Sequence, residues 1–137
     1  MDWDQTTPRP VPLPEIRDER GALGFVQTGT TCPFPIRRIY YMYDLPTGVE
    51  RGAHAHHRCL RQLIAMAGRV SVRLEIAGGV VEHELTSRGQ SLLVPALAWI
   101  TYKPLTPDAV LLALASEPYD EADYIRDYAE FKKLVAR

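Results

Sequence analysis

From residue 36 onward the chain is a series of short apolar runs divided by glycine and proline. Residues 36–44 (IRRIYYMYD) are rich in β-branched and aromatic side chains, the composition of a strand. Residues 60–67, 69–76, 80–85, 91–94, 99–103 and 110–115 continue the series. SVRLEI, within the second of these, alternates with a period of two, and Gly78-Gly79 after it predicts a hairpin turn. Short strands at this spacing predict an all-β barrel or jelly roll. The ending changes character. From Glu121 onward Tyr124, Ile125, Tyr128, Phe131 and Val135 recur at helical spacing, which predicts one closing amphipathic helix. Glu121 and Asp123 fall towards its start, and Lys132, Lys133 and Arg137 towards its end, as the helix dipole favours. At the other end, residues 1–14 carry Pro8, Pro10, Pro12 and Pro14 and predict a flexible, extended arm ahead of a single domain over 15–137.

Composition narrows the class. A chain of 137 residues with 46% apolar content can build one core. Sixteen Lys+Arg against seventeen Asp+Glu leave a net charge of −1, so no overall field draws it to nucleic acid or to an acidic membrane. The longest apolar run, 92–100, is interrupted by Pro95 and too short to span a bilayer. Cys32 and Cys59 fit no metal spacing, and no apolar leader follows Met1. The expectation is a cytoplasmic protein with reduced thiols.

The chemistry concentrates in RGAHAHH, residues 51–57, where three of the four histidines lie. On a strand His54 and His56 share one face and His57 takes the other. Such a pair opens the metal site of cupin barrels, which continues with a Glu a few residues on and a further His on a later strand. Here Arg61 and Gln62 stand near the Glu position and Ile100 near the later His. Two imidazoles beside an arginine make a poor site for a dication, so no metal is expected. Acid–base chemistry is the alternative, because imidazole changes charge near neutral pH; a purely structural role also stays open. Of Tyr40, Tyr41 and Tyr43, on the preceding strand, at most one of Tyr40 and Tyr41 can join His54 inside a barrel.

Over residues 18–133 the chain resembles the sugar 3,4-ketoisomerases of the WxcM-like cupin family, a group with an RmlC-like jelly roll. The resemblance rests on DERGAL (18–23), PFPIRRIYYMYD (33–44), RGAHAHH (51–57), LRQLI (60–64) and LASEPYDEADYIRDYAEF (114–131). It implies isomerisation of dTDP-4-keto-6-deoxyglucose to the 3-keto sugar through an enediolate, without metal or cofactor, on the way to a dTDP-3-amino-3,6-dideoxyhexose. Carried onto this chain, it makes His54 the base, Tyr40 its assistant and His56 a partner in proton transfer. Arg20 and Arg51 become candidates for the pyrophosphate, with Arg38 and Trp99 as further substrate contacts. A homodimer is expected. The sequence departs from the family pattern at His57 (usually lysine), at Arg61 (usually a carboxylate or similar polar residue) and at Ile100 (usually polar).

Two other readings remain at this level: a dTDP-sugar 3,5-epimerase-like enzyme, which shares DxRG and RGxH, and a non-catalytic sugar-nucleotide-binding cupin. A metal-dependent dioxygenase is disfavoured by the missing Glu and third His.

Overall fold

Twelve short strands and one terminal helix make up residues 4–136, the part of the chain that the computed structural model describes. In chain order they are β1 (Arg9–Pro12), β2 (Glu15–Asp18), β3 (Gly21–Gly24), β4 (Arg38–Met42), β5 (Arg51–His56) and β6 (Arg61–Ala67). Next come β7 (Val70–Ile76), β8 (Gly79–Leu85), β9 (Gln90–Val94), β10 (Trp99–Pro104) and β11 (Val110–Ala115). A single 3-10 turn (Glu121–Asp123), β12 (Tyr124–Ile125) and α1 (Tyr128–Val135) end the chain. Two five-stranded antiparallel sheets, β1-β9-β6-β11-β4 and β12-β5-β10-β7-β8, face each other, and β2-β3 stands apart as a hairpin. This is the expected jelly roll.

Strict alternation fills the space between the sheets. Val70, Val72 and Leu74 point inward from β7 while Arg73 is exposed. Leu63, Leu92, Val94, Ile100, Leu111 and Ala113 meet them from β6, β9, β10 and β11. The same parity puts Arg38, Tyr40 and Met42 on the inner side of β4, leaving Ile39 and Tyr41 exposed outside. The outer face of the second sheet is covered by the chain end, where Ala55, Trp99, Ile125 and Phe131 form a separate cluster.

Three expectations need correction. Arg9–Pro12 is no loose arm: it pairs with β9, and Val11 and Leu13 are buried. Its prolines are tolerated because β1 is an edge strand, where one row of amides needs no partner. The β7–β8 turn is Ala77-Gly78 rather than Gly78-Gly79, since Ile76 pairs with Gly79. The closing helix begins at Tyr128, not near Glu121. Asp127 caps it by accepting the Ala129 and Glu130 amides, and Tyr124-Ile125 pairs instead with His56 and Ala55 of β5. Helical spacing across 121–135 was shared by a strand and a helix, so periodicity could not divide them.

Phe131 is fully buried and pins α1 to Trp99. Phe131→Ala is expected to lower the unfolding free energy by about 3–5 kcal/mol, read as a lower urea midpoint at unchanged slope.

Candidate active site

The site is built on β5, whose regular alternation breaks at Gly52-Ala53. Both residues have positive φ, 95° and 56°. A side chain at Gly52 would meet the Ile100 carbonyl oxygen at 2.8 Å, so the close approach needs glycine. The register shifts there: His54 lies opposite Ile100, Gly52 opposite Thr101 and Arg51 opposite Tyr102. On a plain strand Arg51 and His54 would face opposite sides. The bulge returns Arg51 to the inner side, next to Tyr102.

His54 and His56 share the inner face, as the two-residue spacing predicts, with their rings edge to face at 5.3 Å. His57 is exposed. His54 is half-buried; His56 is almost fully so. His56 Nδ1 lies 3.0 Å from Asp123 Oδ2, and Asp123 also accepts the amides of Arg58 (2.8 Å) and Cys59 (3.2 Å). Burial pushes the Asp123 carboxyl up, but the His56 contact and the two amides outweigh it and hold it below the usual range. Both imidazoles are lowered as well, here by burial itself. Burial first, and the Arg61 charge second, lower His54 to about 4 and His56 to about 3. The pair is therefore a neutral imidazole on a carboxylate. Nδ1–H donates to Asp123, which leaves His56 Nε2 as a buried lone pair without a partner.

Tyr124 packs on both rings, 5.1 Å from His54 and 4.2 Å from His56. Arg126 lies over the Tyr124 ring at 4.4 Å and pairs with Glu121, which Tyr119 also contacts. From β4, Arg38 lies over the Tyr40 and Tyr119 rings at 5.2 and 5.7 Å, close to Tyr124. Burial pushes the Tyr102 phenol up. His54, His56, Tyr40, Arg38 and Arg51 are thus brought to one interior.

Two sequence candidates are not. Trp99 faces outward, against Tyr128 and Phe131, because inward positions on β10 are Ile100 and Tyr102; it lines no barrel mouth. Arg20 sits at the exposed tip of the β2-β3 hairpin, engaged with Asp18 at 2.6 Å, away from the histidines of its own chain. Conversely, sequence reasoning missed Asp123, which it placed at the start of a helix, and Tyr124, which it counted as a helix face. It considered Arg61 as a deterrent to a metal and as a departure from the family pattern, not as a site residue. The signal for Asp123 was available in the family-specific tail YDEADYIRDY, whose spacing no barrel requires.

Among the described residues, His56, Cys59 and Asp123 bring three metal-ligand atoms within 4.8 Å of one another. The Asp123 oxygens are already occupied by His56 and two amides, and the Cys59 thiol faces the Leu60 carbonyl at 3.4 Å. This cluster is a hydrogen-bonded brace between β5 and the tail. A cavity of about 540 Å³ lined by Ile76, Leu97 and Leu134 lies under α1 and carries no charged group.

Comparison with known proteins shows what the whole chain is similar to. Residues 7–136 match the family described as FdtA: WxcM-like, C-terminal. A TDP-4-oxo-6-deoxy-α-D-glucose-3,4-oxoisomerase of Aneurinibacillus thermoaerophilus is 36% identical over 123 residues, covering 90% of this chain and 88% of that protein. A sugar 3,4-ketoisomerase from Thermoanaerobacterium thermosaccharolyticum, solved with TDP, superposes with a TM-score of 0.91 at 32% identity, covering 94% of each chain. A 3,4-ketoisomerase from Helicobacter canadensis gives 0.90 at 33%, covering 95% of this chain and 98% of that one. A 4-keto-6-deoxy sugar epimerase from Streptomyces spheroides, at 16% identity and a TM-score of 0.73, covers 85% of this chain and 67% of that one and shares the fold.

The depressed imidazoles fix the pH response. Between the ordinary 6.5 and about 4, the unfolded chain binds more protons than the folded one, so stability rises with pH in that window. The lowered Asp123 acts in the same sense at still lower pH. Acidification from pH 6.5 towards 4 is expected to remove on the order of 1 kcal/mol per pH unit for each histidine. His54→Asn should reduce that slope, measured by urea unfolding across the range.

Proposed function

The chain belongs to the FdtA, WxcM-like family, and from that membership we infer that it is a sugar 3,4-ketoisomerase acting on TDP-4-keto-6-deoxyglucose. The reaction is a tautomerisation. The substrate loses a proton from C3 and one from the C3 hydroxyl, and gains a proton at C4 and one on the C4 oxygen. No external oxidant or reductant enters the balance, so side chains that move protons and hold an anion suffice.

The observation that carries the reading is a neutral, partly accessible His54 beside a buried His56 braced by Asp123. With its imidazole unprotonated at neutral pH, His54 takes the C3 proton. The C–H electrons form the C3–C4 double bond as the carbonyl electrons move onto the C4 oxygen. Protonation at C4, with loss of the C3 hydroxyl proton, leaves the ketone at C3. His56, edge-on to His54 with its Nδ1 proton committed to Asp123, relays a proton through Nε2. Tyr40 supplies a phenol to a sugar oxygen. Arg51 and Arg38, at the rim, take the pyrophosphate, for which guanidinium forks are suited. The 3-keto product is the form that a transaminase needs to place an amine at C3, as in the making of a TDP-3-amino-3,6-dideoxyhexose.

A second copy completes the molecule in this proposal. Ile39 and Tyr41 stand exposed on edge strand β4, with Tyr43 just past its end, and Ile16 and Leu23 stand exposed on the β2-β3 hairpin. Between them a cavity of about 310 Å³ is lined by Phe25, Ile36, Met66 and Leu112. One apolar face bordered by a free strand edge and a projecting hairpin suits a two-fold contact between like chains. Arg20 reaches a pyrophosphate only if that hairpin stands at the neighbouring copy's barrel. The buried, unpaired Cys32 and Cys59 suit the reducing cytoplasm.

TDP-4-keto-6-deoxyglucose incubated with the protein in D2O should give a 3-keto product by NMR with deuterium at C4; unchanged substrate with folded protein sinks the reading. His54→Asn should lower kcat by about 10²–10⁴-fold at unchanged Tm. Light scattering should return twice the 15.4 kDa chain mass. Tyr41→Asp should return a monomer, and a wild type that runs as a monomer removes the dimer.

A further inference from the structure

Arg61 is among the largest fully buried side chains of the described protein, 1% exposed. It begins β6 on the same inward face as Leu63 and Ala65, in the sheet opposite β5. Its Nε and Nη2 are buried without a hydrogen-bond partner, and it takes part in none of the ion pairs among the described residues. A guanidinium cannot shed its charge, and an unpaired buried charge is strongly destabilising. A chain that keeps one there has a counter-charge that arrives from outside.

The surroundings say where that charge arises. The groups that feel Arg61 are His54 and His56 from β5 and Tyr102 from β10. Of the nearby carboxylates, Asp123 is committed to His56 and two amides, and Glu121 to Arg126 and Tyr119. Neither is free to neutralise Arg61. Arg51, proposed above for the pyrophosphate, is exposed at the rim, whereas Arg61 is buried among the inward side chains beside the two histidines. The anion created at that depth is the enediolate.

We propose that Arg61 is a catalytic residue whose guanidinium holds the negative charge that develops on the sugar oxygen as His54 removes the C3 proton. The proposal rests on the ketoisomerase reading above. The carbonyl electrons displaced onto the C4 oxygen meet the free Nε and Nη2 donors; the charge passes to the C3 oxygen as the hydroxyl proton moves from that oxygen to the C4 oxygen, and it is discharged when C4 is protonated and the C3 ketone forms. Donors fixed in advance at a developing oxyanion favour the transition state over the neutral ketone, and so act on kcat. After burial, the same charge is the next largest influence that lowers both imidazoles.

The signature is a trade of stability against turnover. Arg61→Met replaces the charge with an apolar chain of similar length. It should raise Tm by about 3–10 °C and lower kcat by about 10²–10³-fold, with TDP affinity within threefold of wild type. Arg61→Gln, which keeps a polar group without the charge, serves as the second variant should Met fail to fold, and it too should lose kcat at unchanged TDP affinity. Three results overturn the proposal. One is a kcat within threefold of wild type in either variant. Another is TDP binding lost in parallel with turnover, which would make Arg61 a pyrophosphate ligand. The third is a fall in Tm in both variants that accounts for the lost activity, which would make it structural. A wild-type enzyme that binds TDP but leaves the 4-keto sugar unchanged refutes the ketoisomerase reading instead, and is told apart by needing no variant.

Discussion

The site depends on one buried hydrogen bond, from His56 to Asp123. It joins positions 67 residues apart and closes the tail onto β5. It orders three things at once. It fixes the imidazole tautomer, so that Nε2 and not Nδ1 is the free lone pair. It lets Asp123 hold the Arg58 and Cys59 amides where β5 ends. It also seats Tyr124 against both histidine rings. It adds to the two-residue pairing of β12 with β5 and to the His57 amide bond to the Asp123 carbonyl.

The electrostatics follow from burial more than from charge count. The molecule carries a net charge of −1, yet Arg38, Arg51 and Arg61 all face the barrel interior or its rim. Ion pairs at the surface, such as Arg69 with Glu84, are solvated and contribute little. Inside, burial first and the Arg61 charge second, acting through a medium of lower polarisability, keep two imidazoles neutral. An interior charge that disfavours imidazolium favours an anion.

The tail explains why its sequence is distinctive. Asp120 caps the 3-10 turn and meets Arg58, Asp123 braces His56, Tyr124 covers the histidines, Arg126 packs on Tyr124, and Asp127 caps α1. Each polar residue of YDEADYIRDY has a local task, so its spacing reports the site as well as the fold.

Alternation and punctuation by themselves determined the jelly roll, the limits of β6 to β11 within a residue or two, and the shared face of His54 and His56. These are local consequences of a two-residue repeat and of turn chemistry. The same local reasoning could not see that Ile125 pairs with Ala55, that Trp99 faces α1, or that β1 is held by β9. Nor could it see that a bulge at Gly52-Ala53 turns Arg51 inward, or that Asp123 lies under His56. Each of these depends on what stands opposite in space, and pairing between distant segments is set by packing the whole chain rather than by any window of it. Tertiary structure alone decided that Arg61 is buried without a partner, because burial belongs to the assembled barrel and not to the residue.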